Sequence, residues 1–96
     1  MFFMNVNFEI ALQYINLGSY EKAEKELKTA IDAETEKQNF SIATEYRCVL
    51  GELLANLGRK KDSDEQFKQV VDYCKKTGEL KKQLEIAESF LKKGKK

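Results

Sequence analysis

Apolar residues return at steps of three and four along most of this chain, and the steps break at a few small or polar points. That period is the α-helix's, because a turn of 3.6 residues brings positions i, i+3, i+4 and i+7 onto one face. Residues 4–17 are denser: Met4, Val6, Phe8, Ile10, Ala11, Leu12, Tyr14, Ile15 and Leu17 spread around the first helix, which needs cover on several sides. Gly18 ends it by accepting a left-handed backbone, and Ser19 can cap the next helix, which starts near Tyr20. There Tyr20, Ala23, Leu27, Ala30, Ile31 and Ala33 form a single apolar face, with Glu21 to Lys25 and Glu24 to Lys28 pairs outside.

The polar stretch 34–39 ends the second helix or carries an extra turn, and Asn39 or Ser41 can cap a third over 40–57. Its expected inner face is Ile42, Ala43, Tyr46, Leu50, Leu53, Leu54 and Leu57. After Gly58 a turn over 59–61 leads to a fourth helix with Asp62, Asp64 and Glu65 near its start, where the helix dipole favours negative charge. Phe67, Val70, Val71 and Cys74 are its apolar stripe; Thr77 and Gly78 end it. A fifth helix over 79–93 sets Leu80, Leu84, Ala87 and Leu91 in line, with Ile86 and Phe90 beside them. Five helices without a strand make an all-α chain.

The chain also repeats itself about Gly18, Gly58 and Gly94. Eight residues before each glycine stand Ile10, Leu50 and Ile86; seven before, Ala11, Gly51 and Ala87; four before, Tyr14, Leu54 and Phe90. Five, nine and twelve residues after the first two come Ala23 and Ser63, Leu27 and Phe67, Ala30 and Val70. A small residue beside large ones lets two helices approach closely while the space around them fills. The pattern predicts one domain, 1–96, in which helices alternate A-B-A-B-A as a stack of antiparallel hairpins. Repeat one covers about 4–38, repeat two about 40–77, and a capping helix about 79–93.

Composition removes most chemistry. There is no histidine, no glycine-rich phosphate loop and no close cysteine pair, so no catalytic, cofactor or metal site is expected. Acidic residues such as Glu34 and Glu36 read as solvated helix surface. With 17 basic and 16 acidic side chains the charge is +1, which selects neither nucleic acid nor a membrane. The apolar start lacks a basic leader and is interrupted at Glu9, and two distant cysteines read as reduced thiols; a soluble, cytoplasmic protein is expected.

Gly18, Ser19, Tyr20, Glu21, Lys22 and Ala23, with the apolar pattern around them, resemble the turn of the tetratricopeptide repeat family. The spacings of 40 and 36 residues between the glycines exceed the usual repeat of about 34. Thr35 and Lys75 replace the closing proline, and Lys60 and Ser63 replace the turn tyrosine and alanine of repeat two. The resemblance implies that the stack of hairpins is right-handed and that the chain is a protein interaction module, adaptor or scaffold, whose A helices line a concave groove. Carried over to this chain, the groove is Phe8, Leu12, Ile15, Asn16, Glu45, Cys48, Val49, Glu52, Asn56, Leu84, Glu85 and Glu88. Its mixture of apolar and acidic groups suits a peptide or helix with some positive charge. The lysine, asparagine and arginine with which the family clamps a terminal carboxylate are missing, since Phe8, Leu12, Val49 and Glu85 stand in those places. The alternative expectation is a homo-oligomer, built through Phe2, Phe3, Phe8, Leu12 and Ile15 of an adhesive first helix or through the groove.

Overall fold

The computed structural model describes residues 5–93. They form α1 (Val6–Asn16), α2 (Tyr20–Glu36), α3 (Phe40–Asn56), α4 (Lys60–Thr77) and α5 (Lys81–Lys93), with no strand among the described residues. Each helix packs on the next, and α5 also returns to α3. Phe2, Phe3, Met4 and Gly94 lie outside the described residues.

Three of the connections are one turn used three times. Leu17, Gly18 and Ser19 join α1 to α2; Lys37, Gln38 and Asn39 join α2 to α3; Leu57, Gly58 and Arg59 join α3 to α4. The middle residue is left-handed each time, at φ 78°, 65° and 78°. The amide after it then donates five residues back, from Ser19 to Tyr14 at 2.8 Å, from Asn39 to Glu34 at 2.9 Å and from Arg59 to Leu54 at 2.9 Å. These bonds satisfy carbonyls that the helix end leaves open. The turn therefore recurs at 18, 38 and 58, half the period that the glycines mark in the sequence.

This closure overturns the expected caps. Ser19 and Asn39 occupy the N-cap positions without a side-chain cap bond, because their ψ of about 70° is far from the extended backbone from which a cap side chain reaches back. Asn5, at ψ 130°, does cap: its Oδ1 accepts from the Phe8 amide at 3.2 Å. Gln38 holds the left-handed position without being a glycine, which costs about 1–2 kcal/mol before the entropy of glycine is set against it. Gln38→Gly is accordingly expected to add about 0.5–1 kcal/mol and raise Tm by about 4 °C in a thermal melt.

The last connection differs. Gly78 and Leu80 are both left-handed, at φ 76° and 58°, so α5 begins at Lys81 instead of 79. Leu80 packs against the second core cluster, and its carbonyl accepts from the Cys74 thiol at 3.6 Å.

Two clusters form the core. The first joins Ala11, Ala23, Leu27, Ala30 and Ile31 to Ala43, Tyr46, Leu50, Leu53 and Leu54, and the second joins Cys48, Phe67, Val70, Cys74 and Ala87. α3 supplies both. Its small residue Gly51 is buried where a Cβ would come within 2.8 Å of the Phe67 ring, as the repeat predicted for a close crossing. The buried Ser63 hydroxyl donates to the Gly51 carbonyl at 2.8 Å, so the polar replacement in repeat two is satisfied. Ile42 departs from expectation: it is 36% exposed and does not belong to the inner face.

Glu34 departs further. Instead of lying on a solvated surface it is 5% exposed, and it accepts from Asn5 Nδ2 at 2.7 Å and Asn39 Nδ2 at 2.9 Å, tying the start of α1, the end of α2 and the start of α3 together. The Asn39 and Asn5 amides hold its carboxyl below the ordinary value of 4.5; burial opposes them and Lys37 assists. A depressed folded value means that the stabilisation is complete above the unfolded carboxylate range and disappears as pH falls through the lower, folded value. Melts of Glu34→Gln should show about 1 kcal/mol less stability than wild type at neutral pH, with the difference vanishing in strong acid.

Candidate functional site

The spacing 42, 45, 49, 52, 56 alternates three and four, so Ile42, Glu45, Val49, Glu52 and Asn56 share one line along α3. Val49 packs on the first core cluster while Cys48 is buried in the second. The line through Glu45, Glu52 and Asn56 therefore follows the seam between the two hairpins. Asn56 is exposed, and Glu45 and Glu52 are half-buried. Ile42 adds an exposed apolar group at a position where the three-four spacing predicts core.

On α1, Phe8 and Ile15 pack against the first cluster, Leu12 is half-buried outside both clusters, and Asn16 is exposed. The Phe8 ring stacks on Tyr46 with centroids 4.0 Å apart and planes at 9°, which fastens α1 to α3. Of the expected groove residues on these helices, Cys48 is only 3% exposed and Phe8 is occupied by Tyr46. Leu12, Asn16, Glu45, Glu52 and Asn56 retain open surface. Glu9, exposed one turn before Leu12, lies on the same line and was not among the expected residues.

The α5 residues sit elsewhere. Glu85 and Glu88 line a cleft of about 790 Å³ with Val71, Lys75, Ser89, Leu91 and Lys92, between α4 and α5, while Leu84 packs against the second cluster. Glu88 reaches Lys75 at only 3.8 Å with both side chains half exposed or more, a pair of little energetic weight.

Electrostatics separate the two sides of α3. At the α2–α4 side, Arg59 reaches Glu24 at 2.6 Å and Asp62 at 2.9 Å, and Lys28 reaches Glu24 at 3.0 Å. Burial pushes the Glu24 carboxyl up, but hydrogen bonds from Arg59 and Lys28 bring it below its ordinary value. Along the open line, no ion pair among the described residues engages Glu9, Glu45 or Glu52. Burial, then Glu52 and Cys74, push the Cys48 thiol up to about 12, which keeps it protonated and unreactive. Among the described residues no group of His, Cys, Asp or Glu could hold a metal ion, and no helix is long and apolar enough to cross a membrane.

Residues 5–36 and 44–77 match the family model described as tetratricopeptide repeat. The two matches fall on the α1–α2 and α3–α4 hairpins. No curated protein and no solved structure matches the chain significantly. Repeats of this kind generally mediate protein–protein interaction and scaffolding, and proteins built from them are typically non-enzymatic. With more than half its length matched and its helices paired as that repeat requires, the chain belongs to the tetratricopeptide repeat family.

Proposed function

We propose that the chain is a non-catalytic adaptor that holds a peptide or helix of a partner protein along the seam of α1 and α3. One observation carries this reading: Leu12 and Ile42 offer apolar surface beside carboxylates Glu9, Glu45 and Glu52 that no basic side chain of the described chain neutralises. A ligand with an apolar anchor flanked by lysine or arginine fits that surface, and Asn16 and Asn56 supply donors and acceptors for its backbone. Glu85 and Glu88 add acidic surface in the separate α4–α5 cleft, and Leu84 is packed against the second cluster. Nucleic acid is disfavoured, because the open line is acidic. Two buried free cysteines suit a cytoplasmic setting.

The test is binding of labelled basic-apolar peptides by fluorescence anisotropy, compared with acidic ones. Leu12→Arg should weaken the best peptide by at least about tenfold through like-charge repulsion and loss of the anchor, with the melting curve unchanged because Leu12 belongs to neither core cluster. Unaltered affinity in this variant and in Glu52→Arg would remove the seam as the binding surface.

A further inference from the structure

Laying α1 over α3 by the 40-residue repeat pairs Val6 with Tyr46, Ile10 with Leu50, Gln13 with Leu53 and Leu17 with Leu57. On α3 this row closes against the first hairpin: Tyr46, Leu50 and Leu53 are at most 6% exposed, and Leu57 packs on their cluster. On α1 the same row faces outward. Val6 is 68% and Leu17 76% exposed, Gln13 is exposed, and Ile10 is half-buried. The steps of four, three and four are those of a helix seam that pairs with another helix. This is a different face of α1 from Phe8 and Ile15, which the fold has already covered.

We propose that this row docks on the same row of a second copy, with two α1 helices antiparallel about a two-fold axis. The inference is independent of the seam proposed to hold a peptide. The two ends of the stack differ in a way that selects this arrangement. The α5 end presents Lys75, Glu85, Glu88 and Lys92 around the apolar Val71 and Leu91, so a head-to-tail contact would bury four charged side chains against Val6 and Leu17. A contact of like with like covers apolar surface with apolar surface and closes after two subunits. Glu9 is the sole charge on α1. Parallel helices would bring the two Glu9 carboxylates level. With Val6 opposite Leu17 and Ile10 opposite Gln13, an antiparallel pair keeps them about 7 Å apart along the axis and places each near an Asn16 amide. Gln13, polar in the middle of the seam, fixes the register at a cost in affinity. α1 has 11 residues and spans about 16 Å, so the interface falls short of the roughly 800 Å² per partner of a stable complex, and the dimer is weak and concentration-dependent.

Sedimentation equilibrium of the full chain up to millimolar concentration tests this. Wild type should pass from monomer to dimer, Leu17→Glu and Val6→Glu should each weaken association by at least about thirtyfold, and Gln13→Leu should strengthen it by about tenfold. Both acidic replacements fall on exposed positions, and circular dichroism melts will show that the fold is kept. Register is read by mixing Val6→Cys with Leu17→Cys chains under a mild oxidant; the mixed disulfide should form faster than either self-disulfide, and buried Cys48 and Cys74 do not compete. A wild-type chain that stays monomeric at millimolar concentration overturns the proposal. So does a self-disulfide of Val6→Cys outpacing the mixed one, or a dimer that Leu12→Arg dissolves and Leu17→Glu leaves intact.

Discussion

Phe67→Ala is expected to destabilise the fold by about 3–5 kcal/mol, measured by urea or guanidinium unfolding. Phe67 is 0% exposed at the centre of the second cluster, among Cys48, Val70, Cys74 and Ala87. Its ring stacks on Phe90 at 4.8 Å between centroids, so truncation also removes the contact that fastens α4 to α5. Such an aromatic pair adds about 0.5–1.5 kcal/mol beyond the area it buries. The hole cannot be refilled from α3, because the residue facing the ring there is Gly51, which has no side chain to move in. Total stabilities of about 5–15 kcal/mol are usual for a single domain, so this one change takes up a large share. A loss under about 1 kcal/mol would mean that α5 does not pack where the structure places it.

Gly51→Ala is expected to destabilise by about 1–3 kcal/mol, although alanine is the better helix former by about 1 kcal/mol. The added Cβ would stand 2.8 Å and 2.9 Å from two carbons of the Phe67 ring. That ring is stacked on Phe90 and fully buried, so it has little room to yield. If steric conflict is the cause, Phe67→Leu in the Gly51→Ala background should cost less than it does in wild type, and the coupling is read from a double-mutant cycle. An increase in stability on Gly51→Ala would show that helix propensity outweighs the crossing.

Helix number, order and the close crossings were legible because each rests on a local or periodic signal. Ala11 and Ala87 are 0% exposed and Gly51 is buried, as their common place seven residues before a glycine predicted. The turn at Gln38 carries no such signal: glycine marks a left-handed position because it lacks a Cβ, and here a glutamine takes that backbone at a cost of about 1–2 kcal/mol. Likewise Ser19 and Asn39 have capping chemistry, but the turn's own hydrogen bonds set their backbone away from the capping conformation.

Which faces stay open was less legible. Periodicity says which residues share a face; it does not say which neighbour that face meets. Ile42 and Val49 have the same kind of side chain on the same line of α3, yet Val49 is packed and Ile42 is open. On α1, Phe8 and Ile15 have the spacing of a groove or adhesive surface but are packed inward, while the exposed apolar residues are Val6 and Leu17.

By itself, then, the sequence determined what local energetics and spacing determine: five helices, their pairing into hairpins, and the small residues at which they cross. Tertiary structure alone decided the rest, because exposure depends on the sum of all helices around a position. It buried Glu34 where three helix ends bring two asparagine amides to one carboxylate. It left Glu45 and Glu52 without an ion pair among the described residues, and it turned the α1 row from Val6 to Leu17 outward, where no described helix covers it.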